Sequence, residues 1–151
     1  MTCFYNTLDL PHDTVKSILF STTGITTMQI KGTFQITEWQ ESVTQSFDHG
    51  AKLSKALVNQ SYSGDITGSS EVHYQLNYET TGDASFNGFE FITGSIGDTP
   101  CQFTLKHYGA FEKGVAKSQF VIISSATHAK LLGLSGSFIS GEAGQASYVI
   151  G

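Results

Sequence analysis

The sequence predicts an all-β protein, a small eight-stranded closed antiparallel meander barrel, and three observations carry that prediction. From Met28 onward, apolar and polar residues alternate with a period of two in runs of strand length. Turn signals separate the runs: "SGD" at 63, "TGD" at 81, "GDTP" at 97, "EKG" at 112 and "GEAG" at 141. No helical pattern longer than a turn or two interrupts them, so consecutive strands pair as neighbours. Glycines inside the runs (Gly32, Gly68, Gly88, Gly94) suit a sheet that bends and closes on itself, which also removes its edges.

Residues 1–27 read differently from the rest and form an N-terminal extension. Within it, Asp13 to Phe20 has the makings of a short helix capped by Asp13, with Val15, Ile18 and Leu19 on one side. The barrel domain is expected over residues 28–151. Its first strand, "MQIKGTFQI", sets Met28, Ile30, Phe34 and Ile36 against Gln29, Lys31, Thr33 and Gln35. Residues 52–62 follow as the next strand. "EVHYQLNYE" then alternates cleanly, with Val72, Tyr74, Leu76 and Tyr78 on the core face and Glu71, His73, Gln75 and Asn77 on the wet one. Further strands are expected at 84–96, 101–111, 115–125, 134–140 and 145–150. Before the penultimate strand, "HAKLLGLSGSF" reads as a turn or single helical turn whose Leu131, Leu132 and Leu134 plug one barrel end.

Composition narrows the function classes. The net charge of -5 argues against nucleic acid or an anionic membrane as partner. All eight basic residues are lysines, so the planar fork that grips phosphate, carboxylate or guanine is missing, although lysine can still bind phosphate as a point charge. Cys3 and Cys101 stand far apart and in no CxxC arrangement, which fits two reduced thiols. No apolar run reaches membrane-spanning length and no signal-peptide pattern opens the chain, so the expected location is cytoplasmic.

Five segments, "GTFQITEW", "KLSKALVNQSYSGDITGSS", "ASFNGFEFITGSIG", "CQFTLKHYGAF" and "LLGLSGSF", taken in this order, resemble an uncharacterised bacterial family, domain-of-unknown-function family 3224. The resemblance runs from Met28 to about residue 150 and lies in the order and spacing of the segments. It implies a fold similar to the allene oxide cyclase barrel and an enclosed lumen, and it implies no reaction.

Two residues break the apolar alternation. On the strand 101–111 the inward set is Cys101, Phe103, Leu105, His107, Gly109 and Phe111, with an imidazole in the middle. On the strand 84–96 the matching oddity is Glu90, flanked by the outward Phe89 and Phe91. If "GDTP" closes a hairpin in which Ile96 faces Cys101, then Glu90 faces His107. A slip of two residues keeps the pair diagonal and in reach, whereas a slip of one flips every side chain. The hairpin at "EKG", with Phe111 facing Val115, brings Gln119 opposite His107. Glu90, His107 and Gln119 thus form a candidate ligand-binding row, and Glu90 with His107 a candidate catalytic acid/base pair. The same pair serves equally well as a satisfied polar couple that fixes strand register.

Other motifs carry less. His12, His49, His73, His107 and His128 show no metal-ligand spacing, and Glu71 with His73 lies on the solvated face, so no metal site and no cofactor is expected. "GLSGS" around Ser135 lacks the strand-to-helix turn of a nucleophile elbow, and "GSIGDT" precedes a strand, not a helix. Trp39 and the phenylalanines suit core or oligomer contact, and outward aromatics admit a homo-oligomer. The expected function is the binding of a small apolar or amphipathic molecule in the lumen near Glu90 and His107. The alternatives are a cofactor-free isomerase or cyclase using that pair, and a structural or oligomer-forming protein with a filled lumen; lumen volume separates the last from the others.

Overall fold

The computed structural model describes residues 19–22 and 25–151, with side chains from residue 29 onward. Two short strands, β1 (Leu19–Thr22) and β2 (Ile25–Met28), pair with each other as an antiparallel hairpin. Leu19 and Phe20 are therefore strand and not the end of a helix; the remainder of the expected helix, 13–18, lies outside the described residues, as does Cys3. Met28 pairs with Leu19 in this hairpin, so it does not begin the first barrel strand.

Eight strands close the barrel: β3 (Ile30–Ser46), β4 (Lys52–Gly64), β5 (Ile66–Tyr78), β6 (Ala84–Ile96), β7 (Thr99–Glu112), β8 (Val115–Ser125), β9 (Ser135–Ser140) and β10 (Gln145–Ile150). Each pairs antiparallel with its sequence neighbour, and β10 returns to β3 to complete the ring. The alternation works as the pattern predicts. Along β5, Val72, Tyr74 and Leu76 are buried while Glu71, His73 and Gln75 are exposed. On β6, Phe89 and Phe91 face solvent, at 51% and 47% exposure.

One end of the barrel is sealed by aliphatic side chains. Ile30, Ile66, Ile96, Ile122, Leu131 and Ile150 are fully or almost fully buried there, and Cys101 and Phe103 pack with them. Each such side chain contributes roughly 1.5–3 kcal/mol relative to leaving it in water. The plug before β9 is a single 3-10 turn, Ala129–Leu131, that drives Leu131 into the core. Leu134 packs against that core only in part, and Leu132 does not share the role expected for it, because the turn swings it outward to 57% exposure.

The opposite end is open. There β3 runs past β10, which accompanies it only from Ile30 to Gln35, and continues along β4 as far as Ser46. Bulges after Ile36 and Val43 bend this overhang, and beyond Gln35 its second edge pairs with no strand among the described residues. No segment of the sequence marks this stretch as strand by alternation, since it is exposed on both faces. Among the described residues, no helix is long and apolar enough to cross a membrane.

Candidate functional site

Two turns decide which side chains meet inside. The β6–β7 hairpin closes on two residues, Gly97 and Asp98, with Gly97 at φ 60°, the left-handed entry that a tight hairpin needs at its first central position. Ile96 therefore faces Thr99, not Cys101, and the whole ladder sits two residues from the expected register. His107 faces Gly88, Glu90 faces Leu105, and the acid and imidazole meet on the diagonal. Gly88 has a second reason to be glycine: a Cβ there would lie 2.2 Å from the carbonyl oxygen of His73 on β5.

The β7–β8 hairpin also closes on two residues, Lys113 and Gly114, both at positive φ (52° and 83°). Phe111 consequently faces Ala116 instead of Val115, a shift of one residue that reverses the faces of β8. Gln119 is turned to the outer surface opposite Tyr108; its expected place opposite His107 is taken by Phe120, and the polar partner from β8 is Ser118, one step along on the diagonal. The reversal follows burial: Ala116, Ser118, Phe120 and Ile122 point inward, while Lys117 shares the outer face with Gln119.

Glu90 and His107 are each 1% exposed, with Glu90 Oε1 and His107 Nε2 hydrogen-bonded at 2.6 Å. The second carboxylate oxygen of Glu90 accepts from the Tyr62 hydroxyl (2.5 Å) and from Gln60 Nε2 (3.0 Å). Gln60 also donates to Ser70 Oγ, and His107 Nδ1 lies 2.9 Å from Ser118 Oγ. The Ser118 hydroxyl can in turn donate to the backbone carbonyl of Gln119 at 3.2 Å. Ser70, Gln60, Tyr62, Glu90, His107 and Ser118 thus make a polar belt across five adjacent strands, β4 to β8. Every donor and acceptor of the Glu90–His107 pair has a partner, which is the condition for a buried charged or polar group to be tolerated. Burial, and then the neighbouring Glu90 carboxylate, push the Tyr62 and Tyr74 phenols well above their ordinary range, so both stay protonated donors.

Above the belt the lumen opens into a cavity of about 220 Å³ at the open end of the barrel. Its walls are mostly aromatic and aliphatic, among them Phe34, Leu76, Phe86 and Phe138, and no charged side chain among the described residues lines it. Gln60 and Tyr74 belong both to the cavity lining and to the surroundings of the pair; Glu90 and His107 themselves stand one layer behind. The His107 ring is packed edge-on by Tyr74, Phe120 and Phe138 with centroids 5.0–6.0 Å away.

The overhang of β3 builds the rim. Trp39 leans over Tyr74, centroids 6.4 Å apart, and lines the cavity with Tyr78 and the half-exposed Phe111. A single carboxylate holds this rim. Glu41 accepts from Trp39 Nε1 (2.9 Å), Tyr78 hydroxyl (2.8 Å) and Ser54 Oγ (2.5 Å). Partial burial alone raises its pKa, but the three hydrogen bonds and Lys52 outweigh that and hold it below the ordinary carboxylate value. Lys52 Nζ also sits 4.7 Å over the Tyr78 ring.

Gln60, Ser70 and Ser118 do not stand out in the sequence, whereas Tyr62, Tyr74 and Tyr78 are legible there as candidate pocket hydroxyls, Tyr74 and Tyr78 reading more readily as core. One signal was present: Ser54 and Gln60 occupy inward positions on β4, the same kind of discord that exposes Glu90 and His107. Glu71 and His73 lie on the outer face as expected, paired at 3.0 Å and well exposed.

No curated protein matches the chain. A solved structure, that of a protein of unknown function from the DUF3224 family of Shewanella oneidensis, superposes with a TM-score of 0.59 over 82% of this chain and 93% of its own. The two share 20% sequence identity, so the likeness is one of fold. The sequence profile of that same family, described as "Protein of unknown function (DUF3224)", matches residues 30–150, the whole of the barrel. The chain therefore belongs to the DUF3224 family.

Proposed function

We propose that this protein binds a small apolar or amphipathic molecule in the barrel lumen, over the floor formed by the Glu90–His107 belt. The observation that carries the reading is the open cavity of about 220 Å³. A filled, purely structural barrel has no reason to keep such a space, since each void forfeits packing energy. An apolar cavity of about 150 Å³ suffices to take up benzene, so this one has room for a ring with a short substituent. The belt holds the floor rigid, because no member of the pair can move without leaving a buried partner unsatisfied.

Acid–base turnover by Glu90 and His107 is supported less well. Both residues stand behind Gln60 and Tyr74, and their polar atoms are already engaged with one another and with the belt. The test is a titration of isotope-labelled protein with toluene, followed by amide and methyl chemical shifts. Saturable shifts at Leu76, Ala84 and Ala146 are expected, and they disappear in Ala146→Phe, which fills the cavity. Ala116→Leu, nearer the rim, serves the same purpose should the first variant fold poorly. Absence of shifts, or shifts that persist in a folded cavity-filled variant, overturns the proposal.

A further inference from the structure

Two polar atoms in the cavity lining make no hydrogen bond among the described residues. Gln60 directs its amide nitrogen to Ser70 and Glu90, which leaves its carbonyl oxygen Oε1 without a donor. Tyr74 is held by ring contacts with Phe86, His107 and Trp39, and its hydroxyl bonds nothing. The contrast with the other lumen tyrosines is direct. Tyr62 donates to Glu90, Tyr78 donates to Glu41, and Tyr148 accepts from the backbone amide of Ile66. Both residues are more than nine-tenths buried, but neither of these two atoms is itself fully buried, so a molecule in the cavity can reach them.

These two atoms define what a ligand must offer. The Tyr74 hydroxyl, kept protonated by its surroundings, calls for an acceptor. Gln60 Oε1 calls for a donor. A hydroxyl is the smallest neutral group that is both, donating and accepting through one atom. Charge is disfavoured as well: among the described residues no lysine lines the cavity to receive an anion, and the walls are mostly apolar. Resting on the lumen-binding reading, we propose that the site selects a neutral, ring-sized apolar molecule bearing one hydroxyl, an alcohol or phenol, oriented with that hydroxyl on the floor at Tyr74 and Gln60.

The experiment compares toluene, 4-methylphenol and 4-methylbenzoate, three probes of one shape, by titration calorimetry or by chemical shift. On the unaltered protein, 4-methylphenol is expected to bind about tenfold more tightly than toluene, the scale of one or two net hydrogen bonds. The benzoate is expected to bind more weakly than the phenol. In Tyr74→Phe, which removes an oxygen that holds nothing else in place, toluene binds as before and the preference for the phenol shrinks to about threefold or less. Equal affinity for toluene and 4-methylphenol, or a preference unchanged in Tyr74→Phe, overturns the hydroxyl assignment and leaves lumen binding standing. Failure of toluene itself to bind removes the lumen reading on which the assignment rests.

Discussion

The Glu90–His107 pair makes an asymmetric prediction that separates a buried ionic couple from two independent polar residues. His107→Leu takes away the partner of Oε1 and leaves a carboxylate, 1% exposed, with donors on its other oxygen only. Breaking a buried pair in this way costs about 3–5 kcal/mol, against a total stability of roughly 5–15 kcal/mol for a domain of this kind. In a chain of this length that corresponds to a loss of roughly 6–20 °C in Tm. Glu90→Gln is different. The amide oxygen can still accept from Tyr62 and Gln60, and the amide nitrogen can donate to Nε2 of a neutral His107 whose Nδ1–H points to Ser118. Its expected cost is about 1–2 kcal/mol. The decisive measurement is the double variant. Because Glu90→Gln removes the charge that His107→Leu strands, the combination is expected to be at least as stable as His107→Leu alone. Urea unfolding, read by the single tryptophan, Trp39, and by circular dichroism, gives all four corners of the cycle. If the two costs simply add within about 0.5 kcal/mol, the pair is not coupled and the account of the belt is wrong.

The remaining predictions concern the tyrosines, the histidine behind the plug, and a glycine. Burial and then the Glu90 carboxylate raise Tyr62 and Tyr74 above the ordinary value of 10.0, so their contribution to stability is whole below pH 10.0 and is lost as pH rises beyond it. An ultraviolet titration should show their ionisation only together with the loss of barrel circular dichroism; complete ionisation in a folded barrel refutes this. Tyr78, raised to about 12 by partial burial and by its bond to Glu41, should drop in Glu41→Gln. Burial lowers the pKa of His128 below 6.5, so the unfolded chain takes up the proton first and stability falls as pH drops below 6.5. His128→Leu should flatten that limb of the pH–Tm profile, and an unchanged slope counts against it. Gly88→Ala drives a Cβ against the His73 carbonyl and should cost about 1–3 kcal/mol through strand separation; a Tm within error of the parent shows that the β5–β6 spacing is not limiting.

How much of this was legible beforehand depends on which property each feature rests on. The strands of the barrel and the inward direction of Glu90 and His107 follow from alternation, and alternation is a local property of side-chain transfer from water. It survives a register slip of two, which is why the acid and the imidazole meet although Ile96 faces Thr99 and not Cys101. A slip of one is another matter. Whether "EKG" turns on two residues or three decides if Gln119 or Ser118 lies beside His107, and Lys113 in a left-handed conformation is not what a lysine advertises. The pattern of β8 does speak to it, since the face that holds Gln119 also holds Lys117, a poor candidate for an oily lumen.

Residue chemistry alone determined the all-β class, the closed and one-sided character of the sheet, and the presence of an acid and an imidazole within it. Only the assembled barrel decided the rest: the overhang that carries Trp39 and Glu41 to the rim, the belt through Gln60 and Tyr62, and the space left above it. Those features join residues far apart in the chain: Tyr78 and Glu41 are 37 positions apart, and the cavity brings Phe34 together with Ala146. They depend on turn geometry and on how the closing ring staggers its strands, and no window of neighbouring residues encodes either.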